Sequence, residues 1–156
     1  TECPVRTTTY TLRVIKQDDT ETTEQETVEV LEPIASAGTT TVPLGQSIDF
    51  DEGQVPGNDF VWRELNEFRL FEVMKGVAVS PQGIASSLDS LTFEECSDAD
   101  FDQFTYLDGS DVILDPDNEL TDGRTACYIT NEGRLGKLRF PQYSTGAIEV
   151  EWLTWD

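Results

Sequence analysis

Histidine is absent from this chain of 156 residues, and basic side chains are scarce. Ten Lys and Arg residues stand against 31 Asp and Glu residues, so the formal net charge is −21 at neutral pH. Without an imidazole, the chain cannot form a Ser-His-Asp triad, a Cys-His nucleophile pair or a histidine-ligated zinc site. No pair of carboxylates stands out for acid–base catalysis, although a small two-carboxylate hydrolase is one alternative. We therefore predict that the protein is not an enzyme.

The excess of acidic side chains also restricts the partners that the chain can bind. Such a charge repels phosphate backbones and anionic lipid headgroups, so we expect no nucleic acid partner. We also expect no direct membrane insertion, because no stretch approaches the roughly 20 consecutive apolar residues that cross a bilayer. The composition is typical of halophilic proteins, in which strong salt screens self-repulsion. An acidic surface in ordinary salt is the alternative.

The chain contains only three cysteines, Cys3, Cys96 and Cys127, and no CxxC spacing, which argues against a zinc site. Cys96 and Cys127 each join an apolar run, so we predict a disulfide between them; two buried free thiols are the alternative. Cys3 is then left over and is a candidate for an intermolecular bond.

No signal sequence opens the chain, so the protein is either cytosolic or has lost a leader. The disulfide favours a secreted protein, located outside the cell or on its surface.

Alternating apolar and polar residues predict strands along much of the chain. Tyr10, Leu12 and Val14 alternate with polar residues near the start. The polar segment 17–27 that follows is either an exposed connection or a long hairpin tip. Residues 39–42 form another short strand. Residues 60–79 form two strands central to a sheet, with a helix over residues 62–71 as the alternative.

The second half of the chain predicts more strands and one helical turn. We expect a turn at residues 80–83, a strand at 88–96 and a helical turn near residues 98–104, capped by Ser97. Residues 127–140 predict a hairpin that turns at Gly133, and Ile148, Val150 and Trp152 mark a final strand beside it. We predict a mainly antiparallel, all-β sandwich. Residues 1–9 form a flexible or partner-contacting arm, and residues 10–156 form a single domain.

The segment of residues 98–123 is dense in carboxylates, which are the oxygen ligands that Ca²⁺ prefers. It is not an EF-hand loop, because Leu120 stands at the sixth position counted from Asp115 and Ala126 at the twelfth. A solvated acidic loop is the alternative to a calcium site. The candidate calcium ligands are Asp108, Asp111, Asp115, Asp117, Asn118, Glu119 and Asp122.

These features lead to two hypotheses for the function. The first is a non-catalytic, secreted or surface-exposed structural subunit of an extracellular or particle-like assembly. In this hypothesis, copies join by strand addition into a homo-oligomer or polymer, and the candidate contact residues are Cys3, Tyr10, Leu12 and Val14. The second is a calcium-dependent module that binds carbohydrate or another ligand, with glycans as its partners.

Overall fold

The computed structural model of the chain describes residues 8–15, 21–28, 33–110, 115–144 and 146–156. It divides the chain into two compact units, residues 1–33 and residues 34–156. The sequence prediction placed a boundary after residue 9, whereas these units divide after Pro33. In the described ranges, no helix is long and apolar enough to span a membrane.

The first unit contains an antiparallel hairpin. Strand β1, Thr8–Ile15, pairs with strand β2, Glu21–Val28, in an unbroken register from Thr8 opposite Val28 to Ile15 opposite Glu21. The strand predicted around Tyr10, Leu12 and Val14 is therefore present. Strand β2 occupies most of the polar segment 17–27. Cys3 lies outside the described residues.

The second unit is a β-sandwich. One sheet has five strands in the order β3-β11-β10-β9-β7, and the other has four strands in the order β4-β5-β6-β8, with all neighbours antiparallel. The predicted all-β sandwich is thus confirmed. The strands are β3 Ile34–Pro43, β4 Ser47–Ile48, β5 Phe60–Leu65, β6 Phe68–Val73, β7 Ala78–Ile84, β8 Tyr106–Asp108, β9 Arg124–Ile129, β10 Leu135–Arg139 and β11 Ala147–Trp155.

The core between the two sheets is rich in aromatic side chains. Phe60 and Phe71 stack with ring centroids 4.7 Å apart, and Phe50 lies 4.8 Å from Tyr128. In strand β11, alternate residues such as Ile148 are buried, as the period-2 pattern predicts. Aromatic burial on this scale stabilises a sandwich of modest apolar content.

A second, smaller apolar cluster covers the opposite face of the five-stranded sheet. It contains Leu91, Cys96, Cys127 and Trp155, and the ring of Phe93 packs edge-on against Trp155. The predicted disulfide between Cys96 and Cys127 is present here. Because strand β9 lies between the two clusters, its side chains are buried on both faces, with Tyr128 in the main core and Cys127 in this one.

Three local predictions were wrong or displaced. Residues 80–83 belong to strand β7, where a register shift between Pro81 and Ile84 accommodates the turn-forming residues. The predicted strand over residues 88–96 is instead a 3₁₀ turn at Leu88–Ser90, followed by helix α1, Phe93–Ser97. Helix α1, the one α-helix in the described residues, therefore ends at Ser97, where the predicted helical turn would begin. The reason is a capping box between Thr92 and Glu95, which starts the helix earlier.

Candidate functional site

Two of the predicted calcium ligands, Asp108 and Asp115, accept hydrogen bonds from their own local backbone. Asp108 is buried, and its Oδ1 accepts a hydrogen bond from the Ser110 amide at 2.9 Å. Asp115 caps the 3₁₀ turn Pro116–Asn118 by accepting from the Asp117 amide at 3.0 Å. These contacts are typical of caps and turns.

The remaining predicted ligands are divided between surface and interior. Asp122 accepts a hydrogen bond from the Tyr143 amide, and the Glu119 carbonyl oxygen accepts from Nε of Arg124. Asn118 is buried, and its Oδ1 has no hydrogen-bond partner among the described residues. Asp111 lies outside the described residues, so calcium binding by the whole set stays a prediction.

In the described part of the chain, one group of three carboxylates lies close enough together to bind a single metal ion, and it lies outside the acidic segment 98–123. One carboxylate oxygen from each of Asp49, Asp51 and Asp59 lies within 4.8 Å of the others. We call these three residues the carboxylate cluster. They are not among the calcium ligands predicted from the sequence.

The loop between strands β4 and β5 positions the carboxylate cluster. Ile48 and Phe50 are buried in the core, and Asp49 and Asp51 alternate with them along the chain. Asp49 and Gln54 exchange two backbone hydrogen bonds, which close the loop. Gly57 approaches the backbone so closely that a Cβ there would lie 1.9 Å from the Asp49 amide nitrogen, and only glycine fits.

Backbone hydrogen bonds hold the carboxyl groups of Asp49 and Asp59 in place. Asp49 accepts bonds from the Asp51 and Glu52 amides, at 2.9 and 3.0 Å. Both oxygens of Asp59 accept backbone bonds, one from Phe50 at 2.7 Å and one from Asn131 at 3.0 Å. The Asp59 bonds connect the β4–β5 loop to the turn between β9 and β10.

A single guanidinium group contacts the carboxylate cluster in the described residues. Nη1 of Arg134 lies 3.2 Å from Oδ1 of Asp51, and the same nitrogen lies 2.6 Å from Oε2 of Glu132. Nε of Arg134 lies 3.6 Å from Asp156. Because Arg134 is shared among three carboxylates, it compensates only part of the negative charge at the carboxylate cluster.

The pKa of Asp59 responds to this environment. All influences together raise this pKa from the ordinary 3.8 to about 6. Burial raises this pKa most, the backbone bonds from Asn131 and Phe50 oppose the rise, and the nearby Asp49 and Asp51 charges add to it. The side chain of Asp59 is fully buried, so removal from water dominates.

We expect the raised pKa of Asp59 to make the protein more stable at mildly acidic pH. The folded state takes up a proton at this group near pH 6 and the unfolded state only near pH 3.8, so the contribution of Asp59 to the free energy of unfolding falls as pH rises between those values. Moving from pH 7.5 to pH 5 then raises that free energy by roughly 1 kcal/mol through this group.

Urea unfolding at the two pH values measures this effect. An Asp59→Asn variant serves as the control, because it keeps every other carboxylate but cannot titrate at position 59. The wild-type protein is expected to gain more stability on acidification than the variant. Equal gains in both proteins would show that other carboxylates cause the pH dependence.

A second feature with functional potential is the outer edge of strand β3. This strand of ten residues pairs with β11, continuously from Ser36 to Pro43, and no other strand in the described ranges pairs with its outer edge. Within β3, only Val42 is fully buried. The strand contains no charged residue, and its one proline is the final residue.

The other three edges of the sandwich are short or interrupted. Strand β7 carries Pro81 and a register shift, β4 has two residues, and β8 has three. Proteins commonly protect sheet edges in these ways, because free N–H and C=O groups invite pairing with another strand. Strand β3 is therefore the open edge of the sandwich in the described chain.

Comparison with known proteins does not assign the chain to a family. No family model, curated protein or solved structure matches the chain at a significant level. Inferences about function therefore depend on the described residues themselves.

Proposed function

We propose that the protein is a non-catalytic structural subunit that joins with further copies of itself by strand addition. In this proposal, strand β1 of one copy pairs with the outer edge of strand β3 in the next. The observation that carries the proposal is the open edge of β3, which is ten residues long, uncharged and mostly exposed. Backbone hydrogen bonds along such an edge give affinity, and the side chains of the added strand give specificity.

The β1–β2 hairpin supports the choice of the added strand. It forms a two-stranded sheet of its own, and an isolated sheet of two strands is at best marginally stable in water. The register places Tyr10 opposite Glu26 and Leu12 opposite Glu24, so these β1 residues lack apolar cross-strand partners in β2. Addition to another sheet would supply further backbone pairing for β1.

The disulfide supports a location outside the cytosol. Disulfides persist in secreted and surface proteins, whereas cytosolic reductants keep thiols reduced. An acidic subunit of an extracellular or particle-like assembly is consistent with this chemistry. In this proposal, a bond through Cys3 would link copies covalently.

A pair of lysine substitutions on the outer edge of β3 tests the proposal. Thr39→Lys with Thr41→Lys places two charges on exposed positions of the strand, as natural edge strands often do. Thr39 lies opposite Glu151 and Thr41 opposite Glu149 in strand β11, so opposite-charge pairs preserve the sandwich itself. We expect the variant to remain folded and to become monomeric, as measured by light scattering after size-exclusion chromatography.

The matched control places the same two charges outside the strands. Ser86→Lys with Ser97→Lys changes two exposed positions outside the strands and should assemble like the wild-type protein. Assembly by the β3 variant at the wild-type level would contradict the proposed interface. If neither variant assembles, the added positive charge alone explains the loss of assembly, and the result would not support the β3 interface.

A further inference from the structure

We propose that Asp49, Asp51 and Asp59 form a binding site for a hard divalent cation, Ca²⁺, in the loop that connects strands β4 and β5. Two oxygens bound to one Ca²⁺ lie at most about 5 Å apart, because each lies 2.3–2.6 Å from the ion. The carboxylate cluster meets this condition, since its three oxygens lie within 4.8 Å of one another. The inference does not depend on the proposed assembly.

An unsatisfied oxygen of Asp51 points independently to a missing partner. The Asp51 side chain is 2% exposed, and its Oδ2 is buried without a hydrogen-bond partner in the described chain. Both oxygens of Asp51 are bonded to one carbon atom, so Oδ2 is either the oxygen that belongs to the carboxylate cluster or the direct neighbour of that oxygen. A buried carboxylate oxygen without a partner is costly, and a bound cation removes that cost.

The charge at the carboxylate cluster favours a cation over further hydrogen bonding. Glu132 and Asp156 compete with Asp51 for Arg134, the guanidinium group closest to the carboxylate cluster. Ca²⁺ accepts oxygen ligands in flexible geometry, and backbone carbonyls or water complete its coordination. The carboxylate cluster contains no sulfur or nitrogen ligand that would favour zinc or copper instead.

A bound Ca²⁺ would join the two ends of the β4–β5 loop. Asp49 follows β4 directly, and Asp59 directly precedes Phe60, the first residue of β5. The ion would therefore bind the folded chain and not the unfolded one, in which these residues separate. Added Ca²⁺ should then raise the melting temperature through mass action.

Titration of the intact protein with Ca²⁺ tests the proposal. Isothermal titration calorimetry at pH 7.5 should show saturable binding, and the melting temperature should rise more in CaCl₂ than in KCl of equal ionic strength. Asp49→Asn should weaken the affinity by at least about tenfold, by analogy with losses at metal sites. An Asn side-chain oxygen still accepts the bonds from Asp51 and Glu52, so this variant keeps the loop folded.

Asp100→Asn is the matched control. Asp100 also accepts a bond from a backbone amide two residues ahead, that of Asp102, and it lies in the acidic segment 98–123 but is not one of the predicted calcium ligands. This substitution should leave Ca²⁺ affinity unchanged. Asp115→Asn tests the acidic segment as the alternative site. Identical melting shifts in CaCl₂ and KCl, or wild-type affinity in Asp49→Asn, would overturn the proposal. A loss of affinity in Asp115→Asn alone would move the site to the acidic segment and overturn the proposal equally.

A measurement on the wild-type chain removes any dependence on variant folding. Mn²⁺ binds the same type of oxygen ligands and broadens the NMR signals of nearby amides. The amides of Phe50 and Asn131, which both bond to Asp59, should broaden at low Mn²⁺ concentration. The Asp117 amide should not. Broadening that begins at Asp117 and spares Phe50 would contradict the site.

Discussion

Removing the disulfide between Cys96 and Cys127 is expected to lower the free energy of unfolding by about 3–4 kcal/mol. The bond closes a loop of 31 residues, and in the chain-entropy model a loop of that length restricts the unfolded chain by this amount. Both cysteines are fully buried in the smaller apolar cluster, so the disulfide itself is shielded from solvent in the folded protein. The melting temperature should fall by on the order of 10 °C.

The double variant Cys96→Ala, Cys127→Ala measures the effect in urea or by calorimetry. Cys3→Ala is the control, and its stability should match that of the wild-type protein. Peptide mapping without reduction should recover Cys96 joined to Cys127. A double variant as stable as the wild-type protein would show that the crosslink contributes little, and a Cys3 link to either of the other cysteines within a monomer would contradict the pairing.

Raising the KCl concentration from 0.1 M to 2 M is expected to increase the melting temperature by several degrees. A net charge of −21 on a domain of this size repels itself, and the folded state concentrates that charge more than the unfolded state does. The Debye length shrinks from roughly 10 Å at 0.1 M to about 3 Å at 1 M, so most of the stabilisation should occur below 1 M.

Glycine betaine at the same osmotic strength is the control for this experiment. It is excluded from protein surfaces but does not screen charge, so it separates the two effects of concentrated solutes. KCl should stabilise the protein more than betaine does. A flat response to KCl, or equal responses to both solutes, would contradict adaptation of the chain to strong salt.

The strands could be predicted from the sequence wherever side chains alternate between core and solvent. Strand β11 and the hairpin of β9 and β10 are clear cases, because Ile148 and its alternate neighbours face one core and Gly133 has the positive φ that the turn requires. The two strands predicted over residues 60–79 are also present, and the alternative helix is not. In these segments, local pattern and tertiary burial agree.

The segment between β7 and β8 could not be predicted from alternation. Helix α1 has only five residues, which is too short for a helical period to appear in the sequence. Its signal was the capping box of Thr92 and Glu95, and the Leu91 and Phe93 alternation concealed it. The bond of Cys96 to Cys127 could still be predicted, because it requires two buried residues and not a particular secondary structure.

The carboxylate cluster could not be located from sequence because acidic residues are spread along the whole chain. The acidic segment 98–123 is denser in carboxylates than the β4–β5 loop, so carboxylate density does not single out Asp49, Asp51 and Asp59. The local signal was the alternation of Asp49 and Asp51 with buried Ile48 and Phe50. The third member, Asp59, joins them through a loop closure that the sequence does not encode in any short motif.

The open edge of β3 likewise required the sheet order. The sequence predicted a short strand at residues 39–42 but not that it would lie at the end of a five-stranded sheet. Only the topology distinguishes an edge strand from a central one of similar composition. Tyr10, Leu12 and Val14 were predicted to contact another copy, and these residues lie in β1, which pairs with β2 in the structure.

Native mass spectrometry of the intact, non-reduced chain tests the proposed assembly most directly. The measurement is made at high protein concentration, in a volatile salt of high ionic strength that screens the acidic charge. We predict multiples of the subunit mass for the wild-type chain and a single subunit for the variant with lysines at positions 39 and 41. A wild-type chain that remains a monomer throughout this range would contradict the proposal that the protein functions as a self-assembling subunit.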